Sequence, residues 1–98
     1  MERESDTLDK IRELVLRGQV RISHHGYDEL AADGILAREA IQGLTSAILV
    51  EDYPDYPKGA SVLIRETDNE QRNIHVLWGI PKGKTEPAVL ITAYRPRP

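Results

Sequence analysis

Near Ala47 the apolar residues of this 98-residue chain stop recurring at helical spacing and begin to recur at strand spacing. A helix repeats its buried face every 3.6 residues and a strand every second residue, so such a switch separates two kinds of element. Leu8, Ile11, Leu14 and Val15 form one apolar stripe of a short helix. Ser5, Asp6 or Thr7 is placed to cap it and Gly18 to end it. Gln19 to Ile22 reads as a short extended link. Ser23 is an N-cap for a second helix reaching about Asp33, with Gly34 as its stop, and a third helical stretch runs from about Ala37 to Leu44. Beyond it lie four strands: 47–52, 60–66, 73–80 and 88–94. Their connections are Tyr53 to Gly59 with two prolines, a turn at 67–70, and a Pro/Gly/Lys loop at 81–87. Helices followed by a meander predict an α+β fold with a four-stranded antiparallel sheet. The expected organisation is one domain over 1–98, mainly helical to residue 46, a meander over 47–94 and a tail over 95–98.

Composition removes several functions. There is no cysteine, so disulfide scaffolds, thiol nucleophiles and Cys-ligated metals are excluded. Met1 to Asp6 is charged, which argues against a signal peptide, and no apolar run approaches the ~20 residues of a membrane span. The expected location is the cytoplasm. The net charge of -3 argues against a strongly basic nucleic-acid binder, but it is unevenly spread. Residues 18–60 hold three basic against seven acidic side chains, and residues 61–98 six basic against four acidic. The second half is therefore the part suited to meeting phosphate. Phosphate-binding glycine loops and nucleophile elbows are absent.

Strand alternation sorts the polar residues. If Ile74, Val76 and Trp78 face the helices, His75 and Leu77 face away. Taking Val62, Ile64, Val89, Ile91, Ala93, Ile48 and Val50 as inward sends Leu49, Glu51, Tyr53, Ser61, Leu63, Arg65, Leu90, Thr92 and Tyr94 outward. That choice gathers Glu51, Arg65, His75, Thr92 and Tyr94 with several leucines on one face, a composition suited to a partly covered binding surface. His24 and His25 stand in the first turn of the second helix, where the helix dipole favours neutral imidazole. His24 with Asp28, and His25 with Glu29, share a helix face at i, i+4. These pairs are metal-compatible, which makes a metal-dependent hydrolase using His24, His25 and Asp28 one reading. A non-catalytic protein-interaction domain using the polar and leucine face is another.

Five stretches carry a family resemblance: Arg21 to Gly26, Asp33-Gly34-Ile35, Glu51 to Pro54, Gln71 to Val76 and Ile91 to Pro96. Together they resemble a family of small bacterial domains of unknown function. Its pattern is Ser-x-His-Ala, a Gly-Ile helix break, an acidic-Tyr-Pro strand end, Arg-x-x-His-Val and Thr-x-Tyr-x-Pro. His25 takes the histidine slot, Gly26 replaces the usual alanine, and Glu29-Leu30 stands where Arg-Met is often found. Members resemble RelE-, MqsR- and BrnT-like ribonuclease toxins, which often appear beside zinc-finger antitoxins of the MqsA type. The resemblance implies a barnase–EndoU–RelE-like fold and cleavage of RNA, messenger RNA included, without metal or cofactor. It also implies a cognate antitoxin as partner. The implied site carries His25, Arg72, His75, Thr92 and Tyr94. Metal-independent cleavage needs a base on the 2'-hydroxyl, a cation for the phosphate and an acid for the leaving oxygen. His25 and His75 fit the proton transfers and Arg65 or Arg72 the charge. Tyr94 suits an acid, a phosphate-orienting group or a stacking platform, and Glu51 either orients a histidine or lies outside the site.

Overall fold

The computed structural model describes residues 5–97; residues 1–4 and Pro98 of the expected tail lie outside it. Its elements are α1 (Asp6–Leu16), β1 (Val20–Ile22), α2 (His24–Ala32), α3 (Ala37–Gln42), a 3₁₀ turn (Gly43–Ser46), β2 (Ile48–Tyr53), β3 (Ser61–Thr67), β4 (Asn73–Gly79) and β5 (Ala88–Tyr94). The fold is α+β, as the periodicity predicts.

The sheet has five strands rather than four, in the order β1-β5-β4-β3-β2. The stretch expected as a link, Val20–Ile22, pairs in parallel with Ala88–Leu90, so the sheet is not purely antiparallel. The remaining pairs form the antiparallel meander. Three residues are too few to show a period, and parallel pairing needs a long crossover that local sequence does not announce.

Ser5 caps α1 by accepting from the Leu8 amide at 3.1 Å, and Thr7, Leu8, Ile11 and Leu14 bury its inner stripe. They meet Val62, Ile64, Ile74, Val76, Trp78 and Leu90, which are wholly buried or nearly so. Each aliphatic side chain removed from water in this way contributes about 1.5–3 kcal/mol. Arg12 crosses from α1 and donates to the Leu44 and Ala47 carbonyls at 3.2 and 2.9 Å, satisfying the end of the 3₁₀ turn.

α2 continues where β1 stops. The Ser23 amide donates to Leu90 O at 3.0 Å, and Ser23 Oγ donates to Ile91 O at 2.9 Å while accepting from the Gly26 amide at 2.9 Å. Ser23 thus caps α2 and ties it to β5 together. Gly26 permits the close approach, since a Cβ there would stand 2.8 Å from Leu90 O.

Alternation holds through β3 and β4 and fails in part of β2 and β5. Bulges interrupt the register between Leu49 and Glu51 and opposite Leu77/Trp78, between Leu90 and Thr92. A bulge shifts the faces by one residue. Leu49 and Leu90 are therefore buried in the core rather than outward, and Ile48 is 52% exposed rather than inward. Val89 pairs with Gly79 on the outer face and Ile91 sits in the bulge, so neither takes the inward place expected of it. Beyond the bulges Glu51, Tyr53, Thr92 and Tyr94 stand on the outer face as expected.

Candidate functional site

The register places Ile48, Arg65, His75 and Tyr94 opposite one another in a single row across β2, β3, β4 and β5. Directly paired side chains on one face stand about 4.5–5.5 Å apart at Cβ, so the row is a chain of neighbours. His75 is the pivot. Its Nδ1 lies 3.2 Å from the Tyr94 hydroxyl, and the two rings meet edge to face with centroids 5.3 Å apart. Partial burial, and after it the positive charge of Arg65, hold the His75 pKa below its ordinary 6.5. At neutral pH the imidazole is therefore uncharged and able to accept a proton.

The row opens on a cavity of about 540 Å³ lined by Arg65, Arg72, His75, Arg95 and Arg97 with Gln71 and Asn73. Four guanidinium groups and no carboxylate line it, in a chain whose net charge is -3. A neighbouring hollow runs from Tyr94 and Arg95 past Pro96 to Arg97 and Asp33. The four cations are not equivalent. Arg72 Nε donates to Asp68 Oδ2 at 3.1 Å and its Nη2 lies 3.5 Å from Glu70. Arg95 Nη1 donates to the same Asp68 oxygen at 3.0 Å. Its Nε donates to the Asp33 carbonyl, at 3.1 Å, and its own amide donates to Asp33 Oδ2 at 2.9 Å. The side chains of Arg65 and Arg97 make no hydrogen bond or ion pair among the described residues, which leaves them available to an anion.

Asp68 organises this corner. Its Oδ1 accepts from the Glu70 and Arg72 amides at 2.8 and 3.0 Å, closing the β3–β4 turn, while Oδ2 holds the two arginines. These donors, the Arg72 amide foremost, hold its pKa near 2. Arg95 clasps the end of α2 to this turn, and a cation is favoured beside helix-terminal carbonyls. Sequence reasoning assigns Arg95 to a tail and Asp68 to a turn. Asp33-Gly34 and Tyr94-Arg95-Pro96 belong to two of the stretches that carry the family resemblance, and the fold joins them in one clasp.

The structure brings His75, Arg65 and Tyr94 together and sets Arg72 at the mouth of the same cavity. Thr92 lies one row further along, opposite Leu77, and Glu51 stands in that second row opposite Leu63. His25 is not drawn into the cluster. It is exposed on α2, its Nε2 lies 3.8 Å from Glu29 Oε1, and no α2 residue lines either cavity. His24 is exposed beside it. Among the described residues no group of three or more His, Asp or Glu side chains is arranged to hold a metal ion, and His24, His25 and Asp28 form no such set. Another cavity, of about 570 Å³, lies between α1 and the loops around Tyr56 and Lys82. No histidine borders it.

Residues 22–95 match the family described as a domain of unknown function, DUF4258. The chain belongs to that family. The match begins at the β1 residue that leads into Ser23 and ends at Arg95, so it contains the whole α2–β5 clasp and the His75 row. No curated protein and no solved structure matches the chain. Among the described residues no helix is long and apolar enough to cross a membrane.

Proposed function

We propose that the protein is a metal-independent endoribonuclease of the barnase–EndoU–RelE type, acting in the cytoplasm as the toxin of a type II toxin–antitoxin pair. The observation that carries this reading is the Arg65–His75–Tyr94 row, of which Arg65 and His75 line a cavity together with three further arginines and Tyr94 lines the neighbouring hollow. Helices followed by a four-strand antiparallel meander support the fold assignment.

The row supplies each group that 2'-hydroxyl attack requires. Neutral His75 takes the 2'-proton at Nε2 as the 2'-oxygen bonds to phosphorus. The 5'-oxygen leaves with the Tyr94 phenolic proton, and the imidazolium Nδ1–H, 3.2 Å away, returns a proton to Tyr94. The product is a 2',3'-cyclic phosphate. Arg65 stabilises the charge that develops on the phosphoryl oxygens, because a guanidinium offers two parallel donors to them. Arg72 and Arg95, pre-set by Asp68, hold the neighbouring phosphate. Thr92 lies within the face that the RNA would cover. The partners are RNA, messenger RNA included, and a cognate antitoxin, an MqsA-like zinc-finger protein being the leading candidate.

Incubation of purified protein with RNA in chelator tests this reading. Wild-type protein cleaves, His75→Ala loses at least about 10²-fold in rate, and His25→Ala cleaves normally. The acid limb of the pH profile falls below pH 6.5, and Arg65→Gln moves it upward, because removing the positive charge raises the His75 pKa. An uncut RNA, or a His75→Ala variant as active as wild type, overturns the assignment. A second reading, a non-catalytic interaction domain, is favoured by the exposed Ile48 on edge strand β2. It expects a stable protein complex that Ile48→Lys disrupts, with no cleavage under any metal condition.

A further inference from the structure

The outer face extends beyond the His75 row. The next row holds Glu51, Leu63, Leu77 and Thr92, and the one after it Tyr53, Ser61, Gly79 and Val89. In this last row the two central strands carry only a hydroxymethyl and a hydrogen, and the face sinks into a hollow of about 300 Å³. Leu77, Val89 and Ile91 give it an apolar floor, and Arg21, Tyr56 and Lys58 form its rim. Arg21 reaches it because the β1 register sets it beside Val89. Tyr56 and Lys58 rise from the β2–β3 loop, where Tyr56 is half exposed and stands 6.4 Å from Tyr53 in an edge contact. No acidic side chain lines the hollow, and neither rim cation is in an ion pair among the described residues.

A flat apolar floor, an aromatic ring at the edge and two uncommitted cations recognise a planar ring system joined to anions. A nucleobase on a sugar-phosphate strand is such a ligand: the ring stacks and the cations track the backbone. The hollow lies on the same face as the arginine-lined cavity, four strand residues from His75, or about 13 Å. At a rise of ~3.4 Å per stacked nucleotide this spans roughly four nucleotides, and fewer where the strand is extended.

We propose that this hollow is a nucleobase subsite, holding one base of a single-stranded RNA whose scissile phosphate lies over His75. The inference rests on the ribonuclease reading of the His75 row. It gives the site a substrate class: unpaired RNA long enough to reach from the arginine-lined cavity to Tyr56, in preference to a dinucleoside phosphate or a duplex.

Two measurements test it. The first compares kcat/KM for a dinucleoside phosphate and a longer single strand, with wild-type protein and with Tyr56→Ala, a substitution in an exposed loop. Wild-type protein prefers the longer strand, and Tyr56→Ala lowers that preference about tenfold, the loss of one stacked base. A wild-type enzyme indifferent to length, or a preference unchanged in Tyr56→Ala, overturns the subsite and leaves the ribonuclease reading standing. The second titrates the full chain with a non-cleavable oligodeoxynucleotide and follows the backbone amides of Gly79 and Val89 by NMR. If neither RNA is cut, the ribonuclease reading falls and this titration decides the subsite alone. Shifts at Gly79 and Val89 that Tyr56→Ala abolishes uphold it as a base-binding hollow, and unmoved amides overturn it.

Discussion

Glu66 and Asp68 stand two residues apart at the end of β3, are 4% and 7% exposed, and have opposite fates. Asp68 turns toward the β3–β4 turn and is surrounded by donors: two amides and two guanidinium groups. Glu66 turns inward against the 3₁₀ turn, where neither of its oxygens meets a hydrogen-bond partner. Gly43 leaves room for it, since a Cβ there would come within 2.7 Å of the Glu66 carboxyl carbon. Donors hold the Asp68 pKa near 2, and burial alone pushes that of Glu66 up to about 8. Burial without donors keeps one carboxyl protonated, and donors keep the other ionised. The ionised one organises the cavity mouth, and the neutral one serves as a packing group in the core.

Asp68→Asn tests the comparison most severely. It leaves Arg95, whose side chain is 23% exposed, without its carboxylate, and loosens the clasp between α2 and the turn. The expected fall in Tm is on the order of 10 °C or more for a domain of this size, read by thermal unfolding at neutral pH. A fall no larger than that of an ordinary surface substitution breaks the contrast.

Glu66→Gln comes next, with the opposite sign. Between pH 4.5 and about 8 the unfolded chain releases this proton and the folded chain keeps it, so wild-type stability falls as pH rises through that window. The substitution removes that dependence and stabilises by about 3 kcal/mol at neutral pH, with little gain below pH 4.5. Asp68 acts the other way: its contribution is complete above its ordinary 3.8 and is lost as pH falls through about 2. The two groups together set a stability optimum near pH 4, measurable as urea midpoints across a pH series.

The smallest effect sharpens the Asp68 side. Gln71 holds a left-handed φ of 64° in the turn that Asp68 closes. Gln71→Gly relieves that conformation and stabilises by about 0.5–1 kcal/mol, an increase of a few degrees in Tm. A loss of stability instead means that the Gln71 side chain, which lines the cavity, contributes packing that glycine removes.

Much of this arrangement was legible beforehand, and the failures have physical causes. The caps Ser5 and Ser23, the stops Gly18 and Gly34, and the facing of β3 and β4 follow from local chemistry and an uninterrupted period of two. Leu49 and Leu90 were misplaced because each precedes a bulge, and bulges arise from the strand pairing rather than from one strand's residues. Arg65, His75 and Tyr94 lie where alternation remains in phase, so their meeting was readable. His25 was not, because the orientation of α2 depends on the β5 carbonyls that Ser23 and Gly26 meet. Glu66 and Asp68 were read as a strand end and a turn, since nothing in a sequence tells which carboxyl will find donors.

The pairing of β1 with β5 carries a consequence for how the protein is made. Ser23 and Ile91, joined by a hydrogen bond, are 68 residues apart in the chain. A ribosome releases the helical half well before the strand on which it docks exists, and such distant contacts form late. Val20 to Leu30 must wait with its apolar side chains unsheltered until Ala88–Tyr94 emerges. The His75–Tyr94 pair is assembled in that same closing step, so a nascent chain cannot hold the complete row before synthesis has passed Tyr94.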